Sequence, residues 1–353
     1  MIKASSAPAD NPTQAEPPRR SLFVRVLRGI AFAIIGVVLF LLTAWAAAAL
    51  YFDVRVPWLG KSLSAFFLLA IIAIWIFLKR RWLAVGATAG AFALVLAWWF
   101  TLQPSNNHDW QPDVAVLPYA DISGNQVTIH NIRNCDYRTE TDFDVHHYDK
   151  TFNLDQLRTA DMYFVYWGSP NIAHTMVSFG FDSGDYVCIS IETRKEKGEQ
   201  YSAIKGFFRQ FELTYVIADE RDLVRLRTNY RKGEEAYLYR LQGKTDGVRK
   251  VFLDYLRRAN SLHDRAEWYN ALTSNCTSNI RLHAHAISGR SSPFDWRMVL
   301  NGQGDQLLYE RKRIPTTLPF AELKEHCHIN ARAHAADKAP DFSQQIRQGV
   351  PGI

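Results

Sequence analysis

Ala173-His174-Thr175-Met176-Val177-Ser178-Phe179-Gly180-Phe181-Asp182-Ser183-Gly184-Asp185-Tyr186-Val187-Cys188-Ile189-Ser190-Ile191-Glu192 sets two β-type runs on either side of Asp-Ser-Gly. Such runs bounded by turn residues read as an antiparallel hairpin. A three-residue loop with Gly184 left-handed makes Phe181 face Asp185, and so sets His174 opposite Glu192. A two-residue loop would set His174 against Thr193 and turn Glu192 to the other face. Gly at the third loop position favours the first. Directly opposed residues lie about 5 Å apart at Cβ, close enough for a carboxylate to hold an imidazole in one tautomer.

Around this hairpin the chain is rich in short strand-like stretches. Gln126–Ile132, Met162–Trp167, Phe211–Ile217, Leu223–Thr228 and Ala236–Leu241 carry Val, Ile, Phe and Tyr between polar or glycine breaks. The period then changes. Val248, Phe252, Tyr255 and Leu256 recur at helical spacing, Ala266–Leu272 reads as a short helix, and Thr277–Ile287 places Ile280, Ala284 and Ile287 on one face. The pattern is an α+β domain, mostly antiparallel, with its helices gathered late.

Thr273-Ser274-Asn275-Cys276-Thr277-Ser278-Asn279-Ile280 puts a cysteine at the start of that last helix. A helix N-terminus lowers a thiol pKa and offers N–H groups to an oxyanion. Cys276, His174 and Glu192 are the residue types of a nucleophile, its base and the group that orients the base. Asn275 and Ser274 are candidates to assist at the oxyanion or behind it. By chemistry alone the bland readings stand beside this one, because buried Cys is usually inert and a strand His is usually a satisfied core residue.

The first hundred residues are of another kind. Arg19, Arg20, Arg25 and Arg28 lead into the apolar run Gly29–Phe52. Ser62–Leu78 and Trp82–Leu102 follow, separated by Lys79-Arg80-Arg81. Each run is within the length that crosses about 30 Å of hydrocarbon. The positive-inside rule sets residues 1–28 in the cytoplasm as a tail and, after three spans, residues 103–353 outside, which in a bacterium with an outer membrane is the periplasm. A re-entrant second run would reverse that side. Cleavage near Ala44-Trp45-Ala46 would not. The expected organisation is a tail (1–28), a three-helix anchor (29–102), a linker (103–112), a catalytic domain (113–318) and a loosely ordered tail (319–353).

Composition narrows the classes further. Forty-one Lys and Arg against 35 Asp and Glu give a net charge of +6. Part of the excess flanks the apolar runs, and no basic stripe interleaved with aromatics stands out, so nucleic-acid binding is disfavoured. Arg194 and Lys195, after Glu192, read either as a solvated loop or as a lip for an anionic headgroup. Arg225, Arg227 and Arg231 read equally as a basic face toward phospholipid or a solvated strand face. Trp167 reads as core before it reads as the lining of an acyl groove. His146-His147, His283/His285 and His326-Cys327-His328 do not match a structural zinc spacing, so neither metal nor other cofactor is expected. With Cys276 free, at most one disulfide forms among Cys135, Cys188 and Cys327.

Residues from about Asp113 to His285 resemble the periplasmic domain of the bacterial lipoprotein intramolecular transacylase (Lnb-type) family. The likeness lies in Asn131-Ile132-Arg133-Asn134-Cys135-Asp136-Tyr137-Arg138, Ala173–Phe179, Ser190-Ile191-Glu192-Thr193-Arg194-Lys195-Glu196 and Leu272-Thr273-Ser274-Asn275-Cys276. The resemblance implies a papain- or transglutaminase-like cysteine-hydrolase fold with a Cys-His-Glu triad at Cys276, His174 and Glu192. It also implies transfer of an acyl chain from the diacylglyceryl lipid of a lipoprotein to its N-terminal amine. Three functions remain on the page: a cysteine acyltransferase or lipid hydrolase acting on lipid or lipoprotein at the inner membrane, a peptidase or peptidoglycan amidase, and a non-catalytic envelope-binding protein.

Overall fold

The structure, a computed structural model, describes residues 22–288, 295, 297 and 301–353. The side chains of residues 22, 25 and 284–288 are outside the description, and so are the expected tail over residues 1–21, the contacts of Ala284 and Ile287, and the side chain of His285. The chain divides into two compact units, Met1–Thr101 and Leu102–Ile353.

The first unit holds three helices long and apolar enough to cross a membrane: α1 (Leu22–Asp53), α2 (Pro57–Phe77) and α3 (Arg81–Thr101). Helix α1 begins inside the expected polar tail, and α2 begins at Pro57, ahead of the apolar run expected from Ser62. Proline suits that first helical position because its missing N–H would have no partner there. Small and polar residues bring the helices together. Ala46 and Ala49 are fully buried, Ser64 Oγ donates to Ala47 O (2.8 Å), and Trp75 Nε1 donates to Thr88 Oγ1 (3.1 Å).

The second unit is built on an eight-stranded sheet. Its strands are β1 (Tyr119–Ser123), β2 (Gln126–Arg133), β5 (His147–Asn153), β6 (Leu157–Trp167), β7 (Ser169–Phe181), β8 (Tyr186–Arg194), β9 (Glu212–Ala218) and β10 (Glu234–Arg240). Strands β3 (Asp136–Tyr137) and β4 (Phe143–Asp144) form a separate ribbon. The spatial order is β1-β2-β9-β8-β7-β6-β10, with β5 paired to β2. Pairing is antiparallel except for a single parallel contact, Arg133 with Ala218. Helix α5 (Thr245–Asp264) lies on one face, its Phe252 4.9 Å from Phe179 and 5.7 Å from Phe181 between ring centres. Helix α6 (Cys276–Ser288) packs against α5 and β7.

Three expectations are overturned. Ala266–Leu272 is not a short helix but extended chain and turn, held by the bridges of Trp268 to Glu212 and of Asn270 to Ser274. Leu223–Thr228 is not a strand but helix α4 (Glu220–Arg225) running into a π-turn over Leu226–Tyr230. Asp219 starts it, its side chain accepting from Arg221 N at 2.9 Å, which satisfies an otherwise orphaned helix donor. Leu223, Val224 and Leu226 then reach the core from a helix rather than from alternate strand positions. The residues after Pro319 are not loose either. Helix α7 (Gly304–Glu310) is followed by α8 (Phe320–Cys327), α9 (Asn330–Ala335) and α10 (Phe342–Gln345), with Leu323, Cys327, Ile329, Ala333, Phe342 and Ile346 fully buried.

Arg347 explains why that segment is anchored. Its guanidinium donates to Asp161 Oδ2 (2.9 Å) and to both oxygens of Glu220 (2.7 Å each), and it lies 3.5 Å from the Tyr186 ring centre. Arg240 also pairs with Asp161, and Tyr163 Oη donates to Glu220 at 2.7 Å. Both acids are fully buried, which is tolerable only with the charge paired and the lone pairs satisfied. No disulfide contributes, because all four cysteines are free.

Candidate active site

The β7–β8 hairpin has the register of a three-residue loop. Phe181 N donates to Asp185 O (3.0 Å), Gly184 is left-handed at φ +84°, and the pairs run from Gly180/Tyr186 to Met176/Ser190. Continued two residues, that register sets His174 against Glu192. Backbone pairing stops first, and side chains complete it. His174 Nε2 is 3.1 Å from Glu192 Oε1 and 2.7 Å from Ser190 Oγ, and Ser190 Oγ donates to Glu192 Oε1 at 2.6 Å. With Nε2 turned to this acidic side, Nδ1 is the ring nitrogen left for a proton from a nucleophile.

Helix α6 begins at Cys276 because Asn275 and Ser278 cap it reciprocally. Ser278 N donates to Asn275 Oδ1 (2.9 Å), and Asn275 N donates to Ser278 Oγ (2.8 Å). Asn275 Nδ2 donates to Ala271 O, and Ser274 Oγ accepts from Asn279 Nδ2 at 3.4 Å. Both side chains therefore shape the start of the helix. Asn301 ties that start to the His strand, its Nδ2 donating to Ala173 O (2.5 Å) and to Thr277 Oγ1 (2.7 Å). Cys276 Sγ lies 3.9 Å from Thr277 Oγ1, the oxygen that Asn301 ties to the His strand, and His174 and Thr175 are the neighbours that act on the ionisation of the thiol.

Electrostatics follow from this packing. Burial opposes ionisation of Cys276, but the His174 hydrogen bond and charge, with Thr175, outweigh it and lower the thiol from 9.0 to about 7. Burial also works against charge on His174, yet the Glu192 carboxylate prevails over it and over repulsion from Arg227, and the imidazole is raised. Glu192 is held well below the usual carboxylate range, the attraction of His174 and Arg227 overcoming its own desolvation. All three directions favour a proton on the imidazole and a negative charge on sulfur. The other thiols are pushed the opposite way by burial, Cys135 and Cys327 to about 12 and Cys188 well above its ordinary value.

The basic residues near Glu192 are not where a headgroup would need them. Arg227, 5% exposed, is aimed inward by the π-turn, donating to Glu192 Oε1 at 3.0 Å and pairing with Glu234 at 3.3 Å. Arg194 is buried over the Trp110 ring and donates to the carbonyls of Val114 and Ala115. Lys195 is half-buried, its carbonyl accepting from Gln111 N. The headgroup reading is thus corrected for Arg194 and Arg227, since both guanidiniums already serve partners inside the domain. Ser190, Thr175 and Asn301 were not singled out from sequence. Only Ser190 carried a signal, its strand parity with Glu192.

Residues 144–302 match the family model of the Lnb N-terminal periplasmic domain. His174, Glu192, Cys276 and Asn301 all fall within that Lnb-type region, whereas the Asn131–Arg138 stretch lies before it. No curated protein and no solved structure matches the chain. The Lnb-type match and three apolar helices fit a membrane protein with a periplasmic domain.

Proposed function

We propose that this protein is a cysteine acyltransferase of the bacterial inner membrane, with a cytoplasmic N-terminus and a periplasmic papain-like catalytic domain, acting on acyl esters of lipids or lipoproteins. The observation that carries the reading is a free Cys276 thiol at a helix start, its ionisation favoured by a His174 that Glu192 holds, inside the Lnb-type region.

His174 takes the thiol proton and the Cys276 sulfur adds to the ester carbonyl carbon, moving the π pair onto oxygen. N–H groups in the first turn of α6, which have no partner within the helix, face the growing negative charge. Collapse breaks the ester C–O bond, and the alcohol leaves with the proton from His174. An amine then attacks the thioester, giving its proton to His174 and releasing the thiol. Glu192, fixed by Arg227 and Ser190, keeps the imidazole oriented throughout and compensates its charge. None of these steps uses a cofactor.

The test is labelling of the membrane-embedded protein with a lipid-tailed, thiol-directed probe, in wild type and in Cys276→Ala, His174→Ala and Glu192→Ala, with mass mapping of the adduct. An adduct confined to Cys276 and lost in the His174 variant is expected. Equal labelling of all four cysteines, or labelling indifferent to His174, would sink the assignment.

A further inference from the structure

Thr175 has a hydroxyl with no role in the steps above. Its strand parity is that of Val177, Phe179 and Phe181, and Phe179 packs on Phe252 and Tyr255 of α5. Thr175 therefore looks toward the sheet face covered by α5, where α6 also packs. His174, one residue earlier, looks the other way, toward Ser190 and Glu192. Imidazole and hydroxyl therefore leave β7 toward opposite faces, and both favour ionisation of the Cys276 thiol.

The backbone at this point is equally specific. Phe181 N donates across the hairpin to Asp185 O, so odd-numbered residues of β7 turn their amides toward β8. The Thr175 amide would next bond to Ile191, but pairing ends at Met176/Ser190. The start of α6 is held here instead, Asn301 joining the Ala173 carbonyl to the Thr277 hydroxyl, and the Thr175 amide and hydroxyl both favour ionisation of the neighbouring Cys276. Thr175 is 3% exposed, and its Oγ1 has no hydrogen-bond partner among the described residues. A buried hydroxyl without a settled partner calls for a reason, and a catalytic role is among the recognised ones. Here the hydroxyl sits beside a nucleophile, at the start of a 13-residue helix whose first N–H groups lack intrahelical acceptors. The side chains of Asn275 and Ser274 are already bonded to that helix and its approach.

We propose that Thr175 is a catalytic residue whose Oγ1 donates a hydrogen bond to the carbonyl oxygen of the acyl ester as Cys276 adds to it, beside the N–H of Cys276. The assignment rests on the acyl-transfer reading above. The hydroxyl keeps its proton throughout. It binds the oxygen as negative charge accumulates there, and releases it when the carbonyl re-forms and the alcohol departs. A donor aimed at the charge that develops, and idle before it, lowers the barrier without tightening the ground state.

The competing role is that Thr175 merely tunes the thiol, and two reactions separate the roles. Acylation of Cys276 by a short-chain 4-nitrophenyl ester passes through an oxyanion. Alkylation by iodoacetamide displaces iodide at a saturated carbon and does not. Both rates are measured at matched pH on the full-length protein in detergent, for wild type, Thr175→Val and Thr175→Ser. Valine has the shape of threonine without the donor, and serine restores the donor. The expected result is acylation slowed about 10²- to 10³-fold in the Val variant, largely recovered in the Ser variant, with alkylation changed far less in either.

Parallel loss of both reactions in the Val variant would overturn the assignment, leaving Thr175 as a residue that tunes the thiol. Unchanged acylation in the Val variant would overturn it as well. Failure of wild type to be acylated at all, while alkylation proceeds, would overturn both this assignment and the acyl-transfer reading. The two failures are therefore distinguishable.

Discussion

Replacing His174 by alanine removes the group that holds the Cys276 proton away from sulfur. In the native site the thiol titrates at about 7, down from 9.0, and the leading downward influence is the His174 hydrogen bond. Burial, which works the other way, stays in the variant, so the midpoint should return to 9 or higher. At pH 7 the thiolate fraction then falls from about one half to about 1%, and a thiolate of higher pKa is intrinsically roughly six- to tenfold more nucleophilic for a two-unit rise. The alkylation rate at pH 7 should therefore fall only about five- to eightfold, while its pH midpoint moves by about two units. The midpoint is the decisive quantity. The assay is the initial rate of iodoacetamide labelling from pH 5.5 to 10, read by mass at the peptide carrying Cys276. Cys135, Cys188 and Cys327 are buried with raised pKa values and serve as silent controls. A wild-type midpoint near 9, or one that His174→Ala does not move, would refute the coupling between thiol and imidazole.

Three further outcomes are expected. Arg227→Met removes the buried cation shared by Glu192 and Glu234, which keep His174 and Arg231, and should cost about 1.5–3 kcal/mol; a thermal melt essentially equal to wild type would contradict this. Glu192 has a depressed folded pKa, so its contribution to stability is complete above the ordinary value of 4.5 and is lost as pH falls through the folded value. The melting-temperature gap between wild type and Glu192→Gln should accordingly narrow below pH 4.5, and a gap that widened on acidification would reverse the sign. Arg347→Ala leaves buried Glu220 without a cation, while Asp161 keeps Arg240, costing about 3 kcal/mol, whereas a tail that merely rests on the domain would show little change in urea unfolding.

The β7–β8 hairpin was legible because its information is local. Gly184 tolerates positive φ, alternation assigns the faces, and these set His174 opposite Glu192. The start of α6 was legible from its position after a polar run, and Asn275 with Ser278 accounts for it. Leu223–Thr228 misled because its β-branched and leucine content suits a strand, while Asp219 and tertiary packing made it helical. That error hid Arg227, which reaches Glu192 only from the π-turn. The segment after Pro319 looked loose because its apolar residues are sparse, yet sparse residues suffice when one Arg neutralises two buried acids. Thr175 had no legible signal, since its importance depends on where the β7–β8 pairing stops.

Arg347 also sets an order of events in the making of this protein. It meets Asp161 across 186 positions and Glu220 across 127. Asp161 meets Arg240 first, but at about 5–20 residues per second of synthesis Glu220 waits some 6–25 s for Arg347. Until then, burying the Glu220 carboxylate without a cation is unfavourable, which disfavours the settling of α4. The π-turn that carries Arg227 to Glu192 continues directly from α4. A chain halted short of residue 347 would contain Cys276 without the guanidinium that balances Glu220 at the start of α4. Docking of the Arg347 segment and the setting of Arg227 against Glu192 thus become linked events.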